Sequence, residues 1–571
     1  MTMVTKVDDF NVEDSQPEMK SPLKGESCFQ LLGRFLRIYW RSLFLILVPI
    51  IFLPLIILNN NTMYRCLYVL LIMACYWIAE VLPLAVTSVI PIVLYPLLGI
   101  LSTAATTLCY MNDTAMMFIA SLAIAIAIQT SGLHMRVALW IIKLIGCSHR
   151  RLSFGLFFVT MFISMWISNT AATAMMVPIV QSVLEELEKQ GLGNVFVTTD
   201  DESKEEEQEA SKKPTPITIS HYLAASYASS IGGIGTIVGS GTTLSIKGYY
   251  ESRFPNGPGI NFSSWMMYAV PPMLIMSILT WIWLQILYMG LFRPNSKEAR
   301  AVDIGKEGER VATAVIEKKY KELGPITWGE SCVGLLFIAV IFLWFFREPG
   351  FVKGWPNYIT DVAVKDSTAG IAVMIILFAL PANLNFLNSF SKDPSKRPTK
   401  ASSGLLTWKL IHQNMHWNLL FIFGGGFAIA AGSTASGLST MLGNALIGLQ
   451  SLNPVIILFI ACLLVETLTE MTANVSVANI VIPVLVEMCV AIKLHPMYML
   501  VPGTMSASFS FHLPAGTPPN AIACAAGHIR TKDLMIAGIG PSIITLVTTT
   551  ILFPTWGNYV FQLSEFPEWA V

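Results

Sequence analysis

The chain has 571 residues, of which 54% are hydrophobic and 13% are charged, and its formal net charge is zero. A soluble protein of this length carries about twice that share of charged residues, and a neutral chain offers no electrostatic basis for binding nucleic acid. The mean hydropathy is +0.61, and many apolar runs approach the roughly 20 residues that cross a bilayer. The fold class predicted is therefore an all-α polytopic membrane protein, surrounded by membrane lipid.

In chain order, residues 1–33 are polar and predict a disordered cytoplasmic tail. Two polar segments predict surface loops: 188–220, which holds the acidic runs 200–202 and 205–207, and the basic segment 293–325. The apolar runs lie near 43–58, 67–82, 84–101, 113–133, 152–167, 171–187, 222–246, 265–292, 331–346, 368–387, 417–435, 455–470, 476–493, 497–527 and 534–556.

The distribution of positive charge predicts the orientation, because Lys and Arg are enriched in cytoplasmic loops. Arg34, Arg37 and Arg41 precede the first apolar run, so the N-terminus is expected in the cytoplasm. No Lys or Arg follows Lys532, so the C-terminus is expected on the outside. The membrane expected for the protein is the plasma membrane. The sequon Asn261-Phe262-Ser263 is then expected on an external loop, which predicts a glycoprotein.

A short polar pattern occurs twice, 305 positions apart, inside apolar sequence. Ser168-Asn169-Thr170 corresponds to Ala473-Asn474-Val475, and a proline follows each Asn after nine positions. Ser131-Gly132-Leu133 and Ser436-Gly437-Leu438 share the same offset. This duplication predicts two repeats, 34–325 and 326–571, with a substrate site shared between them.

The loops that precede the two Asn segments differ in charge. The first loop carries Arg136, Lys143, Arg150 and Arg151, whereas the corresponding loop 436–454 has no Lys or Arg. Opposite charge on matching segments predicts inverted-topology repeats. The prediction is about eleven transmembrane helices plus two re-entrant helical hairpins, one in each repeat.

The tip of a re-entrant hairpin must line a polar cavity, because hydrocarbon cannot satisfy its backbone groups. Each hairpin is followed by a Gly- or Pro-containing segment that breaks a helix, 239–243 in the first repeat and 516–520 in the second. Helices that restart there direct their N-termini into the cavity, which suits an anion without a basic side chain. The alternative is that these polar residues only join helices. His512 is expected to be a hydrogen-bonded helix residue rather than a ligand group.

These residues and motifs resemble the paired signatures of the divalent-anion/sodium symporter family, the di- and tricarboxylate transporters, and its Indy branch most of all. The resemblance runs from about residue 40 onwards and implies a homodimer whose protomers contain scaffold and transport elements that move by an elevator mechanism. It implies succinate, malate, fumarate and citrate as substrates, contacted by Asn169, Thr170, Ser240, Asn474, Thr517 and Pro518. It also implies a sodium ion at Ser164, Ser168, Asn169 and Gly239, and a second at Thr469, Thr472, Asn474 and Gly516.

The second repeat departs from the family pattern, which has Ser-Asn-Thr in both copies. Ala473 and Val475 each replace a hydroxyl beside Asn474, so sodium-independent exchange is favoured over sodium-coupled symport. Two other classes remain as alternatives: an anion channel and an intramembrane enzyme. The enzyme lacks support, since the sequence contains neither Gly-x-Ser-x-Gly nor His-Glu-x-x-His, and no cofactor other than sodium is implied.

Overall fold

A computed structural model describes residues 28–146, 148–191, 194–196, 213–303, 305–446, 448 and 451–570. Most of the expected tail and the acidic runs 200–202 and 205–207 lie outside these residues. The described chain is helical, and the β-type pairing found in it is limited to two isolated bridges, Phe196 with Pro214 and Pro381 with Gly404. The all-α prediction is confirmed for this part of the chain.

The first half contains fourteen helices among the described residues, and their boundaries follow the apolar runs and the glycines between them. They are α1 (Cys28–Leu58), α2 (Thr62–Ala79), α3 (Leu84–Ser88), α4 (Ile90–Leu97), α5 (Thr103–Leu108), α6 (Asp113–Ser131), α7 (Leu133–Ile145), α8 (His149–Ser164), α9 (Asn169–Lys189), α10 (Pro216–Gly232), α11 (Gly241–Arg253), α12 (Phe262–Tyr288), α13 (Lys297–Val302) and α14 (Gly305–Glu322).

The second half continues in the same way from α15 to α25. These helices are α15 (Trp328–Phe345), α16 (Asp366–Ala379), α17 (Trp408–Asn414), α18 (Trp417–Ser436), α19 (Leu438–Leu446), α20 (Pro454–Thr469), α21 (Asn474–Ala491), α22 (Met497–Ser506), α23 (Pro518–Gly527), α24 (Thr531–Leu552) and α25 (Asn558–Phe561). A single π-helical turn, Phe553–Gly557, joins the last two.

Eight helical stretches in the described residues are long and apolar enough to cross a membrane by length and composition. Three shorter apolar stretches accompany them: Leu84–Leu97, Asp366–Ala379 and Pro454–Thr469. Asn474–Ala491, expected as one limb of a hairpin, is among the eight. The class of a polytopic helical membrane protein is thus supported, while the count of eleven spans and two hairpins stays a prediction.

The duplicated sequence segments adopt the same local structure. Gly132 ends α6 and Gly437 ends α18, with φ of 80° and 77° in the left-handed region that favours glycine. In each copy a second helix, α7 or α19, begins at the next residue. Matching turns at one sequence offset support duplication of this part of the chain.

Helix α18 holds the two halves close together through three consecutive glycines. A Cβ on Gly424 would lie 2.1 Å from a ring carbon of Tyr110, and a Cβ on Gly425 would lie 2.8 Å from Ser88. A Cβ on Gly426 would lie 2.8 Å from Asn479 on α21. A side chain at Gly426 would push α18 away from α21, and one at Gly424 or Gly425 would push it away from the first half of the chain.

The sequon expected on an external loop lies where the segment between α11 and α12 meets α12. Asn261 Oδ1 accepts a hydrogen bond of 2.7 Å from Arg347 Nη2, and α12 begins at the next residue. Ser263 is 3% exposed, and its hydroxyl donates to the carbonyl oxygen of Glu348. Asn261 is partly exposed, and glycosylation at this position stays a prediction.

Candidate functional site

At the tip of the first hairpin, α8–α9, the hydroxyl of Ser164 contacts the side-chain amide of Asn169. The Ser164 hydroxyl lies 2.8 Å from Asn169 Oδ1 and 2.7 Å from the carbonyl oxygen of Ser229 on α10. A hydroxyl has one proton, so it can donate to only one of these oxygens at a time. Three oxygen atoms therefore lie close together with a single hydroxyl proton among them. Such a cluster of oxygen atoms suits a hard cation.

Two glycines complete this first cluster by letting backbone atoms approach the tip. A Cβ on Gly233 would lie 2.2 Å from Asn169 Oδ1, and a Cβ on Gly239 would lie 2.7 Å from the carbonyl oxygen of Met165. The structure thus brings together the predicted Ser164, Asn169 and Gly239. The Ser168 side chain accepts from the backbone N–H of Ala171 at 3.4 Å and caps α9.

The second hairpin, α20–α21, repeats this geometry with its own residues. The Thr469 hydroxyl lies 2.8 Å from Asn474 Oδ1 and 2.8 Å from the carbonyl oxygen of Ala507. A Cβ on Gly516 would lie 2.9 Å from the carbonyl oxygen of Glu470. Thr469, Asn474 and Gly516 therefore form a second cluster. Thr472 points elsewhere: its hydroxyl lies 3.5 Å from the carbonyl oxygen of Trp77 on α2.

The departure at Ala473 has a visible structural consequence. Ser168 caps α9 with its side chain, whereas Ala473, at the same position of α21, makes no side-chain cap. The first turn of α21 accordingly relies on backbone bonds alone, from the N–H groups of Ser476 and Val477 to the Ala473 carbonyl oxygen. The start of α21 therefore lacks the capping hydrogen bond that stabilises the start of α9.

Four helices begin at the positions that the sequence predicted. They start at Asn169, Gly241, Asn474 and Pro518. Ser240 caps α11 by accepting from the N–H of Thr242 at 3.3 Å. Thr517 occupies the capping position of α23 with no side-chain cap bond and is 4% exposed. The start of α23 offers no free N–H, because Pro518 and Pro519 lack this group and the N–H of Asn520 donates to the Thr517 carbonyl oxygen. Anion binding by the first N–H groups of α9 and α21 stays a prediction.

The two halves meet at these helix starts. A Cβ on Gly241, in the first half, would lie 3.0 Å from Val475 Cγ2 at the second tip. The hydroxyls of Thr242 and Ser508 are 2.5 Å apart, and the Ser226 hydroxyl donates to Asn520 Oδ1 at 2.7 Å. These contacts join the start of α11 to the second tip and α10 to α23. That the predicted substrate residues form one site stays a prediction.

Glu470, next to Thr469, is a site residue that was not predicted from the sequence. Its carboxylate accepts from the backbone N–H groups of Phe511, His512 and Leu513 at 2.6–3.2 Å, and from the Ser510 hydroxyl at 3.0 Å. This carboxylate holds the non-helical segment between α22 and α23 against the second tip. An ionisable residue inside an apolar run is a functional candidate by itself, and that signal could have identified it.

The expectation for His512 needs a correction. Its Nδ1 lies 3.0 Å from Glu470 Oε1, so the side chain is hydrogen-bonded as predicted. The residue is not helical, however, because α22 ends at Ser506 and α23 begins at Pro518. The helical conformation is interrupted from Ala507 to Thr517, a longer stretch than the sequence indicated, and the Glu470 carboxylate bonds to the backbone within it.

A second missed group is Lys247, which lies two turns into α11. It is 2% exposed and pairs with Glu251 on the same helix, while its Nζ is 3.8 Å from Asp366 Oδ2 at the start of α16. Both neighbours of Lys247 are carboxylates, so its charge is offset within this cluster. An anion site without a basic side chain stays a prediction.

Broken helices and paired hairpin tips around a polar region, in a largely apolar helical chain, define a membrane transport protein. A family model described as "Sodium:sulfate symporter transmembrane region" matches residues 37–563. The chain belongs to this family, the divalent-anion/sodium symporters.

Its similarity to characterised relatives extends over nearly the whole length. It is 45% identical over 545 residues to "Protein I'm not dead yet" of Drosophila melanogaster, covering 94% of this chain and 92% of that protein. It is 37% identical to the "Na(+)/citrate cotransporter" of Mus musculus, and the match covers 92% of this chain and 96% of that protein. It is 34% identical to the "Na(+)/dicarboxylate cotransporter 3" of Homo sapiens, covering 93% and 94%.

Solved structures share the fold at low sequence identity. The Alcanivorax borkumensis YdaH transporter matches with a TM-score of 0.50 and 13% identity, covering 82% of this chain and 88% of that one. Neisseria gonorrhoeae MtrF matches with a TM-score of 0.51 and 13% identity, covering 79% and 83%. At this identity the likeness concerns the fold alone.

Proposed function

We propose that the protein is a secondary transporter that moves di- and tricarboxylates, such as succinate, malate, fumarate and citrate, across the plasma membrane. The observation that carries this proposal is the pair of matching tips, Ser164 with Asn169 and Thr469 with Asn474, each built at a helix start. The printed names of the citrate and dicarboxylate cotransporters support the substrate class.

Carboxylates suit the chemistry of these tips. Asn169, Thr170 and Asn474 offer small polar side chains at helix starts, where N–H groups favour negative charge. Ser240, Thr517 and Pro518 stand at the starts of α11 and α23. Two tips from opposite halves of the chain would bind the two ends of a dicarboxylate.

Sodium-independent exchange is the coupling mode that we propose, with sodium-coupled symport as the second candidate. Ala473 and Val475 lack the hydroxyls that would add oxygen atoms at the second tip. Symport is favoured by the oxygen clusters around Ser164 and Thr469, which would suit sodium at both tips. Sodium would supply positive charge beside the bound carboxylates.

Movement by an elevator mechanism completes the proposal, with one part of each protomer fixed and the other mobile. Helices α1, α2 and α4 form a small core of their own with parts of α18 and α19, which supports a scaffold separate from the larger core. We further propose a homodimer in membrane lipid, with its N-terminus in the cytoplasm and its C-terminus outside.

The test is uptake of labelled succinate and citrate by proteoliposomes containing the purified chain. External sodium is compared with choline, and vesicles are prepared with or without internal dicarboxylate. Exchange predicts uptake in choline that internal dicarboxylate accelerates. Liposomes without protein give the background, and a chain that moves neither substrate under any condition would refute the proposed function.

A further inference from the structure

A cavity of about 270 Å³ lies beside the first hairpin tip, separate from the contacts between the two tips. Its polar lining consists of Gln129 on α6, Ser168 at the tip, Gln413 and Asn414 at the end of α17, and His416. Its volume is just under the roughly 300 Å³ at which pockets for drug-sized ligands begin. We name it the tip cavity, and it suits a molecule of a few carbon atoms.

The chemistry of the lining points to an anion. None of the residues that line the tip cavity is acidic. Three of them are side-chain amides, and with Ser168 and His416 they can all present hydrogen-bond donors. Neutral donors bind a carboxylate weakly, which suits a site that passes a substrate on rather than one that retains it.

Gln129 is the residue that most needs a partner. It lies near the end of α6, a helix that is apolar over most of its length, and its side chain is only partly exposed. Among the described residues no group hydrogen-bonds its amide. Its partly exposed amide at the cavity is therefore open to water or to a ligand that enters.

We propose that the tip cavity is a transit site for carboxylates, on the path between the first tip and the cytoplasm. Ser168 connects it to the tip, and the basic segment before α17 is expected on the cytoplasmic side. The inference rests on the proposed function, and it adds a second, weaker carboxylate site that only the cytoplasmic side reaches. Gln129 is its central donor.

The experiment replaces Gln129 by Glu in the full chain, which keeps the shape and adds a negative charge. Transport is measured in intact cells, where all molecules have one orientation. External half-saturation comes from uptake of labelled succinate, and internal half-saturation from efflux after injection of labelled succinate at several concentrations. Surface labelling checks the amount of each variant in the membrane.

We expect the internal half-saturation concentration of Gln129→Glu to rise about tenfold, from charge repulsion at close range, with the external value unchanged. Gln129→Leu, which removes the donors without adding charge, should give a smaller rise in the same direction. Thr130→Val is the matched control, because this neighbour lies outside the cavity lining and donates to Ile126 of its own helix. It should change neither value.

Two results would overturn the transit site. One is wild-type values on both sides for Gln129→Glu, and the other is an equal change on both sides, which would place the residue in the main site. Failure of the proposed function gives a different result, since the unmodified chain would then move no labelled succinate in either direction.

Discussion

Ser164 and Thr469 organise the two tips by the same contact, a hydroxyl placed against the amide oxygen of an Asn five residues later. Each hydroxyl also lies within hydrogen-bond distance of a backbone carbonyl oxygen outside its own hairpin. This oxygen belongs to Ser229 on α10 in the first case and to Ala507, just after α22, in the second. Ser164 and Thr469 each stabilise one hairpin tip and bring several oxygen atoms close together there. Changes at either Asn should affect binding more than folding.

We expect Asn169→Ala and Asn474→Ala each to abolish succinate uptake while surface expression stays near normal. Each change removes a polar partner at a helix start, at a cost of about 1–3 kcal/mol in binding. Asn453→Ala is the control, because this Asn caps the outer end of α20 and is exposed. Uptake of ordinary affinity by either tip variant would contradict the paired-tip site.

A substitution at Ala473 should stabilise the folded protein. Ala473→Ser restores the side chain that caps α9 in the first copy, so it should stabilise the protein by about 0.5–2 kcal/mol. The measurement is thermal unfolding in detergent, with Ser168→Ala as the reverse change, which should destabilise by a similar amount. An unchanged or lowered unfolding temperature for Ala473→Ser would show that the cap does not form.

At the scale of whole elements, charged residues join α11 to the start of α16 and the end of α15. Glu251 Oε2 lies 2.8 Å from Lys365 Nζ, and Asp366 Oδ1 lies 2.5 Å from Arg347 Nε. Lys247 stands between Glu251 and Asp366, and Asp366 is 0% exposed. Residues of α11, α15 and α16 all belong to the larger core, so these pairs join helices within that core.

Lys247→Met removes one of the two cations beside each of these carboxylates, while Lys365 and Arg347 keep their pairs. We expect it to destabilise the protein by about 1.5–3 kcal/mol, the usual loss for a hydrogen bond to a charged group. The measurement is again thermal unfolding in detergent. Lys143→Met is the matched control: it breaks an exposed pair with Glu317, 2.9 Å long, and should leave the unfolding temperature nearly unchanged. Equal effects of the two changes would show that burial does not matter here.

The sequence predicted the starts of α9, α11, α21 and α23, because glycines, prolines and small polar residues inside apolar runs act locally. It did not predict the role of Glu470 or Lys247. The partners of Glu470 lie in the segment after α22, and those of Lys247 include Asp366 in the other half. Contacts between distant parts of a chain have no local signal.

At the scale of the whole molecule, the coupling of transport to sodium depends on how the two halves of the chain differ. The two halves supply equivalent oxygen clusters, but they differ where Ala473 and Val475 stand opposite Ser168 and Thr170. Val475 also packs against the start of α11, since a Cβ on Gly241 would lie 3.0 Å from its Cγ2. Thr has the same shape as Val, so a hydroxyl can be added there with little change in packing.

We therefore expect dicarboxylate uptake to persist when choline replaces sodium, and internal dicarboxylate to accelerate it. The double change Ala473→Ser with Val475→Thr should make uptake more sensitive to sodium, because it returns two oxygen atoms to the second cluster. Sodium titration of uptake by both proteins in parallel is the measurement. A steep sodium dependence of the unmodified protein, with a Hill coefficient well above one, would exclude exchange. It would show instead that backbone carbonyls beside Thr469 and Asn474 suffice to hold the ion.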